Sequence, residues 1–89
     1  HNLRELCLAL SCNSSITSLS LANTKLGAQD GEINAKAIGL LLQMNRNIKN
    51  LDLELNFLGS NVKFILDSLG EGLENLNLER NEIGNDVIP

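Results

Sequence analysis

The stretch that decides the fold is Ile48–Gly59, which reads IKNLDLELNFLG. Its apolar residues Leu51 and Leu53 alternate with polar neighbours, and a period of two is typical of a short β-strand with one buried face. After the strand the chain must turn, which leaves backbone groups without ladder partners. Because an amide side chain both donates and accepts, Asn56 can satisfy such groups. The stretch therefore predicts a strand followed by a turn that a buried asparagine supports.

The same pattern occurs on either side of this stretch. Ile16–Gly27 reads ITSLSLANTKLG and Leu73–Gly84 reads LENLNLERNEIG, so all three segments fit LxxLxLxxNxLG with Ile for Leu at some positions. Asn81 matches Asn56, whereas Thr24 stands at that position in the first segment. We therefore predict three parallel strands, near residues 19–21, 51–53 and 76–78, with Asn56 and Asn81 stacked beneath the loops. The next apolar residue in each segment should plug the turn before a glycine: Leu26, Leu58 and Ile83.

Between the strands the apolar period becomes helical. Val62, Ile65, Leu66 and Leu69 lie at i, i+3, i+4 and i+7 and predict a helix near residues 61–69. Residues 38–45 show the same spacing and predict a helix near residues 34–44. The expected caps are Ser60 before the later helix, Gly70 after it, and Asp30 or Asn34 before the earlier one. The polar stretch 27–32 should bulge at the entrance of the earlier helix, as a tolerated insertion rather than a binding loop.

The first residues allow two interpretations. Residues 3–8 fit LxxLxL and could form a fourth strand, but they begin only 13 residues before Ile16, too few for a strand, a helix and two turns. As a helix over residues 2–12, they place an apolar stripe on one side, formed by Leu3, Leu6, Cys7 and Leu10. Asn2 and Glu5 then have the spacing of a capping box. We favour the helix.

The repeating β–α unit, of about 28 residues on average, resembles the leucine-rich repeats of the ribonuclease-inhibitor-like class. The resemblance covers nearly the whole chain and is specific for the class of repeat. It implies an α/β leucine-rich-repeat solenoid, a right-handed β–α superhelix with a short curved parallel sheet on the concave side and helices on the convex side. Residues 1–89 would form one domain, with the helix at 2–12 and repeats at 16–47, 48–72 and 73–89.

The sequence also departs from this family pattern. Thr24 interrupts the asparagine ladder, the second repeat is short, and the third stops before its helix. Because solenoid repeats bury their faces against neighbours, we expect the chain to be a fragment of a longer one. For the same reason we expect self-association through an uncapped C-terminal edge.

Composition and charge exclude several classes of function. No apolar run approaches the roughly 20 residues that span a membrane, and the net charge of −4 argues against binding nucleic acid or an anionic membrane. Cys7 and Cys12 are five positions apart, about 140° around a helix, so they are expected to be reduced thiols of a cytoplasmic protein. A secreted effector delivered to a host cytosol is the other interpretation of location.

No catalytic constellation is present in the sequence. The only histidine is His1, and GxSxG, Walker and HExxH motifs are missing. Carboxylates are plentiful, but they fall at positions of the repeat that solvent should reach. We therefore expect no enzymatic activity, no cofactor and no metal site.

The best candidate site is the concave strand face, where parallel strands about 4.8 Å apart place equivalent side chains in rows. The predicted protein-binding residues are Ser18, Ser20, Asn50, Asp52, Glu54, Asn75, Asn77, Glu79 and Arg80. Their chemistry changes from small and polar at the first strand to acidic at the second and third. Such a surface suits a protein or peptide partner with basic or polar groups.

Three further functions follow from the resemblance alone. The chain could be a regulatory segment resembling the Ran GTPase-activating protein, an actin-end cap resembling tropomodulin, or part of a bacterial effector. The activator would be expected to have an acidic tail and many more repeats, and the cap a terminal helix, and this sequence shows neither. A non-enzymatic protein-interaction module is therefore the favoured interpretation.

Overall fold

The computed structural model describes residues 3–70 and 72–82. In chain order the elements are α1 (Leu3–Ser11), β1 (Ser18–Ser20), α2 (Gly31–Met44), β2 (Asn50–Asp52), a 3₁₀ turn (Gly59–Asn61), α3 (Val62–Leu66) and β3 (Asn75–Asn77). The strands form one parallel sheet in the order β1-β2-β3. The prediction of three parallel strands is confirmed, with each strand beginning one residue earlier than expected.

The core lies between one face of the sheet and the helices. Leu51 and Leu53 of the central segment are buried there, together with Ile38 and Leu41 of α2 and Ile65 of α3. The strand residues that alternate with these leucines stay at the other face, as the period of two predicts. The sheet therefore has one face packed on helices and one face open to solvent.

Residues 3–11 form a helix, so the favoured interpretation of the N-terminal segment is confirmed and the fourth strand is wrong. The helix packs along α2 and turns Cys7 into the core. Leu6, expected on the buried stripe, is 43% exposed. Asn2, the other half of the expected capping box, lies outside the described residues.

Helix α2 begins at Gly31, three residues before the expected start. Asp30 takes the N-cap position in a left-handed conformation (φ 58°), but its side chain makes no capping bond. The Asn34 amide instead donates to the carbonyls of Leu26 and Gln29. A Cβ on Gly31 would lie 2.5 Å from Asn61 Nδ2, so glycine lets the helix entrance approach the following 3₁₀ turn. The polar bulge is thus confined to residues 27–30.

Helix α3 is shorter than predicted and ends at Leu66. The expected Ser60 cap is wrong, because Ser60 lies within the 3₁₀ turn and no side chain caps the helix. Gly70 does not end the helix either. A Cβ at Gly70 would lie 3.3 Å from Arg46 Nη1, and one at Gly72 would lie 2.8 Å from the Arg46 carbonyl oxygen. After α3 has ended, both glycines pass closely over Arg46.

A ladder of asparagines lies beneath the turns that follow the strands. Asn56 has no exposed surface, and its Oδ1 accepts from the N–H groups of Thr24 (2.9 Å) and Leu26 (3.3 Å). Its Nδ2 donates to the carbonyls of Leu21 (2.8 Å) and Leu53 (3.0 Å). The buried, backbone-bonded role predicted for Asn56 is confirmed.

Asn81 repeats this arrangement one unit later and is 1% exposed. Its Oδ1 accepts from the N–H groups of Asn56 and Leu58, and its Nδ2 donates to the carbonyls of Leu53 and Leu78. Each asparagine therefore makes hydrogen bonds to the backbone of the preceding unit's turn as well as to that of its own turn. Leu58 is buried and plugs its turn as predicted, and Leu26 does the same in the first unit; the third plug, residue 83, lies outside the described residues.

Thr24 occupies the ladder position of the first unit. Its hydroxyl lies 2.7 Å from the Leu21 carbonyl oxygen and 3.0 Å from Asn56 Oδ1. The side chain therefore bonds within its own turn and to the following unit. It marks the N-terminal end of the ladder.

The turns show a backbone feature that the sequence pattern did not predict. In each unit the residues just before and just after the ladder position adopt positive φ, between 54° and 60°; they are Asn23, Lys25, Leu55, Phe57, Arg80 and Glu82. A left-handed conformation costs a residue with a Cβ about 1–2 kcal/mol. In the first two units the ladder bonds the backbone between these two residues, because Asn56 Oδ1 accepts from the N–H of Thr24 and Asn81 Oδ1 from the N–H of Asn56.

Candidate functional site

The register of the sheet brings equivalent residues of the three units side by side. Ser18 is paired with Asn50 and Asn50 with Asn75, while Ser20, Asp52 and Asn77 form the next row. We call the solvent-facing side of the sheet the open face. It comprises these six strand residues together with Glu54, Glu79 and Arg80 beyond the strand ends. The six strand residues share one face of the sheet, and Glu54 links Asn77 of this face with Arg80.

The first row of the open face is linked by side-chain hydrogen bonds. Asn50 Nδ2 donates to Ser18 Oγ at 2.9 Å, and Asn75 Nδ2 donates to Asn50 Oδ1 at 2.6 Å. All three side chains are exposed. The donors point the same way along the row, so the amides are fixed in orientation across the sheet. A partner would meet a uniform line of neutral polar groups here.

The second row fixes the backbone where each strand ends. Asp52 Oδ1 accepts from the N–H of Glu54 at 3.0 Å, and Asn77 Oδ1 accepts from the N–H of Glu79 at 3.0 Å. Ser20 Oγ makes the equivalent, longer contact with the N–H two residues on, at 3.4 Å. Because these side chains are hydrogen-bonded to nearby backbone N–H groups, they lose little conformational entropy when a partner binds over them.

The carboxylate of Glu54 connects the second and third units. Asn77 Nδ2 donates to Glu54 Oε1 at 3.3 Å, and Arg80 Nη1 lies 3.9 Å from Glu54 Oε2. The Arg80 side chain is 71% exposed, so this ion pair is loose and contributes little to stability. With Asp52 and Glu79 the face carries three carboxylates against one guanidinium. The open face therefore has a net negative charge, which lies at the second unit because Arg80 offsets Glu79 in the third.

A groove of about 490 Å³ runs across the open face. Its floor includes the central leucines of the three strands, at positions 19, 51 and 76, and its sides are the two polar rows. Only Leu51 of these is buried. The groove thus combines fixed polar groups with some apolar floor, as an extended or gently curved protein surface requires.

The structure also contains side-chain groupings that the sequence analysis missed. On the helix side, Lys36 Nζ lies 5.0 Å and Lys63 Nζ 5.2 Å from the centroid of the Phe64 ring. Lys36 also pairs with Glu32 at 2.8 Å, and this contact lowers the pKa of the Glu32 carboxyl. The Glu32 and Lys36 pair has i, i+4 spacing and was readable from the sequence. The contacts with Phe64 depend on how α3 packs on α2.

Of the two cysteines, only Cys12 is accessible to solvent. Both cysteines are free; Cys7 is buried and Cys12 is exposed. Burial raises the pKa of the Cys7 thiol to about 11, because the charged thiolate would lose its hydration. Cys7 is therefore a core residue and has no nucleophilic character at neutral pH.

Neither a metal cluster nor a membrane-spanning helix occurs in the part of the chain that the structure describes. Within residues 3–70 and 72–82 no three His, Cys, Asp or Glu side chains converge as a metal site would need. No helix in the same ranges has the length and apolar character to cross a bilayer. Comparisons with protein-family models, with curated proteins and with solved structures found no match to this chain.

Proposed function

We propose that this chain is a leucine-rich-repeat solenoid of the ribonuclease-inhibitor-like class that acts as a non-enzymatic protein-interaction module. The parallel sheet, the helix after each of the first two strands and the asparagine ladder support the assignment to this class. In such a solenoid the open face is the concave side, and it presents the polar rows to a protein or peptide partner.

One observation carries the binding role: side chains from three strands that are far apart in sequence are linked into one oriented polar surface. Asn75, Asn50 and Ser18 form a continuous hydrogen-bonded row. These residues are exposed and contribute little to the core, so folding alone does not require their arrangement. An oriented, acidic and partly apolar groove fits a partner segment that carries Lys or Arg together with backbone or amide groups.

Charge reversal on the open face tests this role. In Glu54→Lys/Glu79→Lys the acidic face becomes basic, and we expect the amount of partner captured from an extract of the source cells to fall about tenfold, or about 1.4 kcal/mol. The matched control is Glu5→Lys/Asp67→Lys, which makes the same change of charge at exposed positions of the helix side. Circular dichroism checks that both variants fold. Equal loss in both variants, or unchanged capture by the open-face variant, would place the binding surface elsewhere.

A further inference from the structure

The second half of α2 carries no charged residue on any side. Residues 37–44 read AIGLLLQM, in which Gln43 is the one polar side chain. Ile38 and Leu41 face the core, but the outward positions are apolar as well, because Leu40 is 49% and Met44 61% exposed. A helix with one side in water normally carries charged and polar residues on that side, whereas a helix that is apolar all round is buried. The outer side of α2 therefore has the composition of a covered surface.

A groove of about 400 Å³ lies between this side of α2 and α1. Leu8 of α1 and Ile33 of α2 line it and are 52% and 58% exposed. Among the described residues that line the groove there is no Asp or Glu, although the chain has 11 of them and a net charge of −4. The groove is thus an apolar surface without carboxylates on an acidic chain.

Further repeats would not cover the outer side of α2. Helix α2 packs against α1 on one flank and against α3 on the other, and its inner side packs on the sheet. In a solenoid each unit contacts only its neighbours. A unit added before α1 or after α3 would therefore contact those helices and leave Leu40 and Met44 exposed.

We propose that two copies of the chain associate through this groove, with α2 of one copy packed antiparallel on α2 of the other. An uncharged apolar surface fits a partner surface of the same kind, and the outer side of α2 is such a surface. Two chains with a net charge of −4 repel each other. They approach most easily where neither presents a carboxylate, which is the case here.

The small side chain of Ala37 allows this contact to be self-complementary. Ala37 and Leu40 lie three positions apart, so they are neighbours on one side of α2. In a dimer with two-fold symmetry, the contact that one residue makes with another is made twice. Leu40 of each copy therefore packs over Ala37 of the other copy, as a knob packs into a hole between helices.

The size of the contact determines the strength of the dimer. Helix α2 has 14 residues and α1 has nine, so they are about 21 Å and about 14 Å long and each about 10 Å wide. In projection the surface measures about 350 Å², less than half of the roughly 800 Å² that one partner buries in a standard interface. We therefore expect a weak, reversible dimer with a Kd above about 1 μM.

Such a dimer would present two binding surfaces at once. The helices lie on the side of the sheet opposite the open face, so association through α2 leaves both open faces exposed. Two open faces in one particle would bind a partner that repeats its recognition segment more tightly than one does. This consequence rests on the proposed function, whereas the association itself does not.

Sedimentation equilibrium combined with NMR of one methyl group tests the proposal. Met44 is the only methionine of the chain, so a ¹³C label in its methyl group reports on the groove. Between about 10 μM and about 1 mM we expect the monomer to convert to a dimer, and the Met44 resonance should shift with the same Kd. A chain that stays monomeric throughout this range would overturn the proposal. Dimerisation without a shift of the Met44 resonance would overturn it as well.

Charge introduced near the symmetry axis provides a second test. Leu40→Glu places two carboxylates close together in the dimer, so its Kd should rise at least about tenfold. Glu is a good helix former and position 40 is half exposed, so the variant should fold. The matched control is Leu69→Glu, which makes the same change at a leucine that is 42% exposed and lies outside the groove.

The control variant should dimerise as the unchanged chain does. If Leu40→Glu does not fold, Met44→Glu makes the same test by sedimentation at the end of α2. Equal weakening by the groove variant and by Leu69→Glu, or weakening by Leu69→Glu alone, would place the interface elsewhere and overturn the proposal.

Discussion

At the scale of single residues, the buried asparagines replace the hydrogen bonds that the turns cannot make with a neighbouring strand. Asn81 bonds five backbone groups through its amide. The substitution Asn81→Ala removes this amide and leaves these groups buried and unpaired. We expect the free energy of unfolding to fall by about 1–3 kcal/mol. The open-face control Asn77→Ala should cost less than about 0.5 kcal/mol. Equal effects in urea denaturation would contradict the inward assignment of Asn81.

Two glycines at equivalent positions of the turns are needed for different reasons. A Cβ on Gly27 would overlap the Phe57 carbonyl and lie 2.9 Å from Leu58 Cα, whereas a Cβ on Gly59 meets no atom but would sit at φ +53°. Gly59→Ala should therefore cost about 1 kcal/mol from backbone conformation. Gly27→Ala should cost more, about 3 kcal/mol, because rigid backbone must move. Thermal unfolding of the two variants compares them directly, and the reverse order would show that the close approach is misplaced.

The buried thiol of Cys7 predicts a loss of stability at high pH. Its pKa rises from 9.0 in the unfolded reference to about 11 in the fold, so the unfolded chain releases this proton first as the pH increases. The stabilisation is therefore complete below about pH 9 and is lost between pH 9 and 11, by about 3 kcal/mol. Denaturation curves should show that the free energy of unfolding falls more steeply between pH 9 and 11 in the unchanged chain than in Cys7→Ala. If both chains lose the same stability over this range, the thiol is solvated.

At the scale of elements, the two apolar periods were sufficient to predict which segments are strands and which are helices. Alternating leucines beside polar residues require one buried face, and the i, i+3, i+4 stripes require a helix. The ends of the helices were less predictable. Gly31, at the start of α2, lies against the Asn61 side chain, and Gly72 passes over Arg46 after α3 has ended. Such contacts join residues far apart in sequence and leave no local pattern.

In the candidate site, too, the sequence pattern predicts which residues share a face, but it does not predict which side chains contact each other. The period of two predicted that Asn50 and Asn75 share a face, and the parallel register places them in one row. Their mutual hydrogen bond and the link from Glu54 to Arg80 depend on side-chain conformation, which alternation alone does not determine.

The attachment of α1 predicts an effect confined to one element. Asn45 is 3% exposed and is the side chain that holds the end of α1 through Leu10 and Asn13. In Asn45→Ala both carbonyls lose the amide donor, although Leu10 still accepts from the Asn13 N–H. Amides of α1 should therefore exchange faster than those of α2, and global stability should fall by about 1–3 kcal/mol. Gln43→Ala, at an exposed position nearby, is the control. If amide hydrogen exchange became faster by the same factor in both helices, α1 would not open separately from α2.

At the scale of the whole molecule, the two sides of the sheet present different side chains. The open face carries three carboxylates on strands fixed by cross-strand bonds. The helix side carries lysines around Phe64, along with exposed apolar residues such as Leu40 and Met44. Because Asp52 and Glu54 lie on a sheet whose other face is the core, they can present charge without moving. A basic partner is therefore expected to dock on the open face in a defined orientation.

Site-specific photo-crosslinking tests this central claim most directly. A photoreactive side chain at position 75 would lie on the open face at strand β3, and one at position 43 would lie on the helix side. In an extract of the source cells, we expect position 75 to form a covalent adduct with a discrete protein. The adduct should be lost in Glu54→Lys/Glu79→Lys, and position 43 should give none. Adducts at position 43 with none at position 75 would contradict the assignment of the open face as the binding surface.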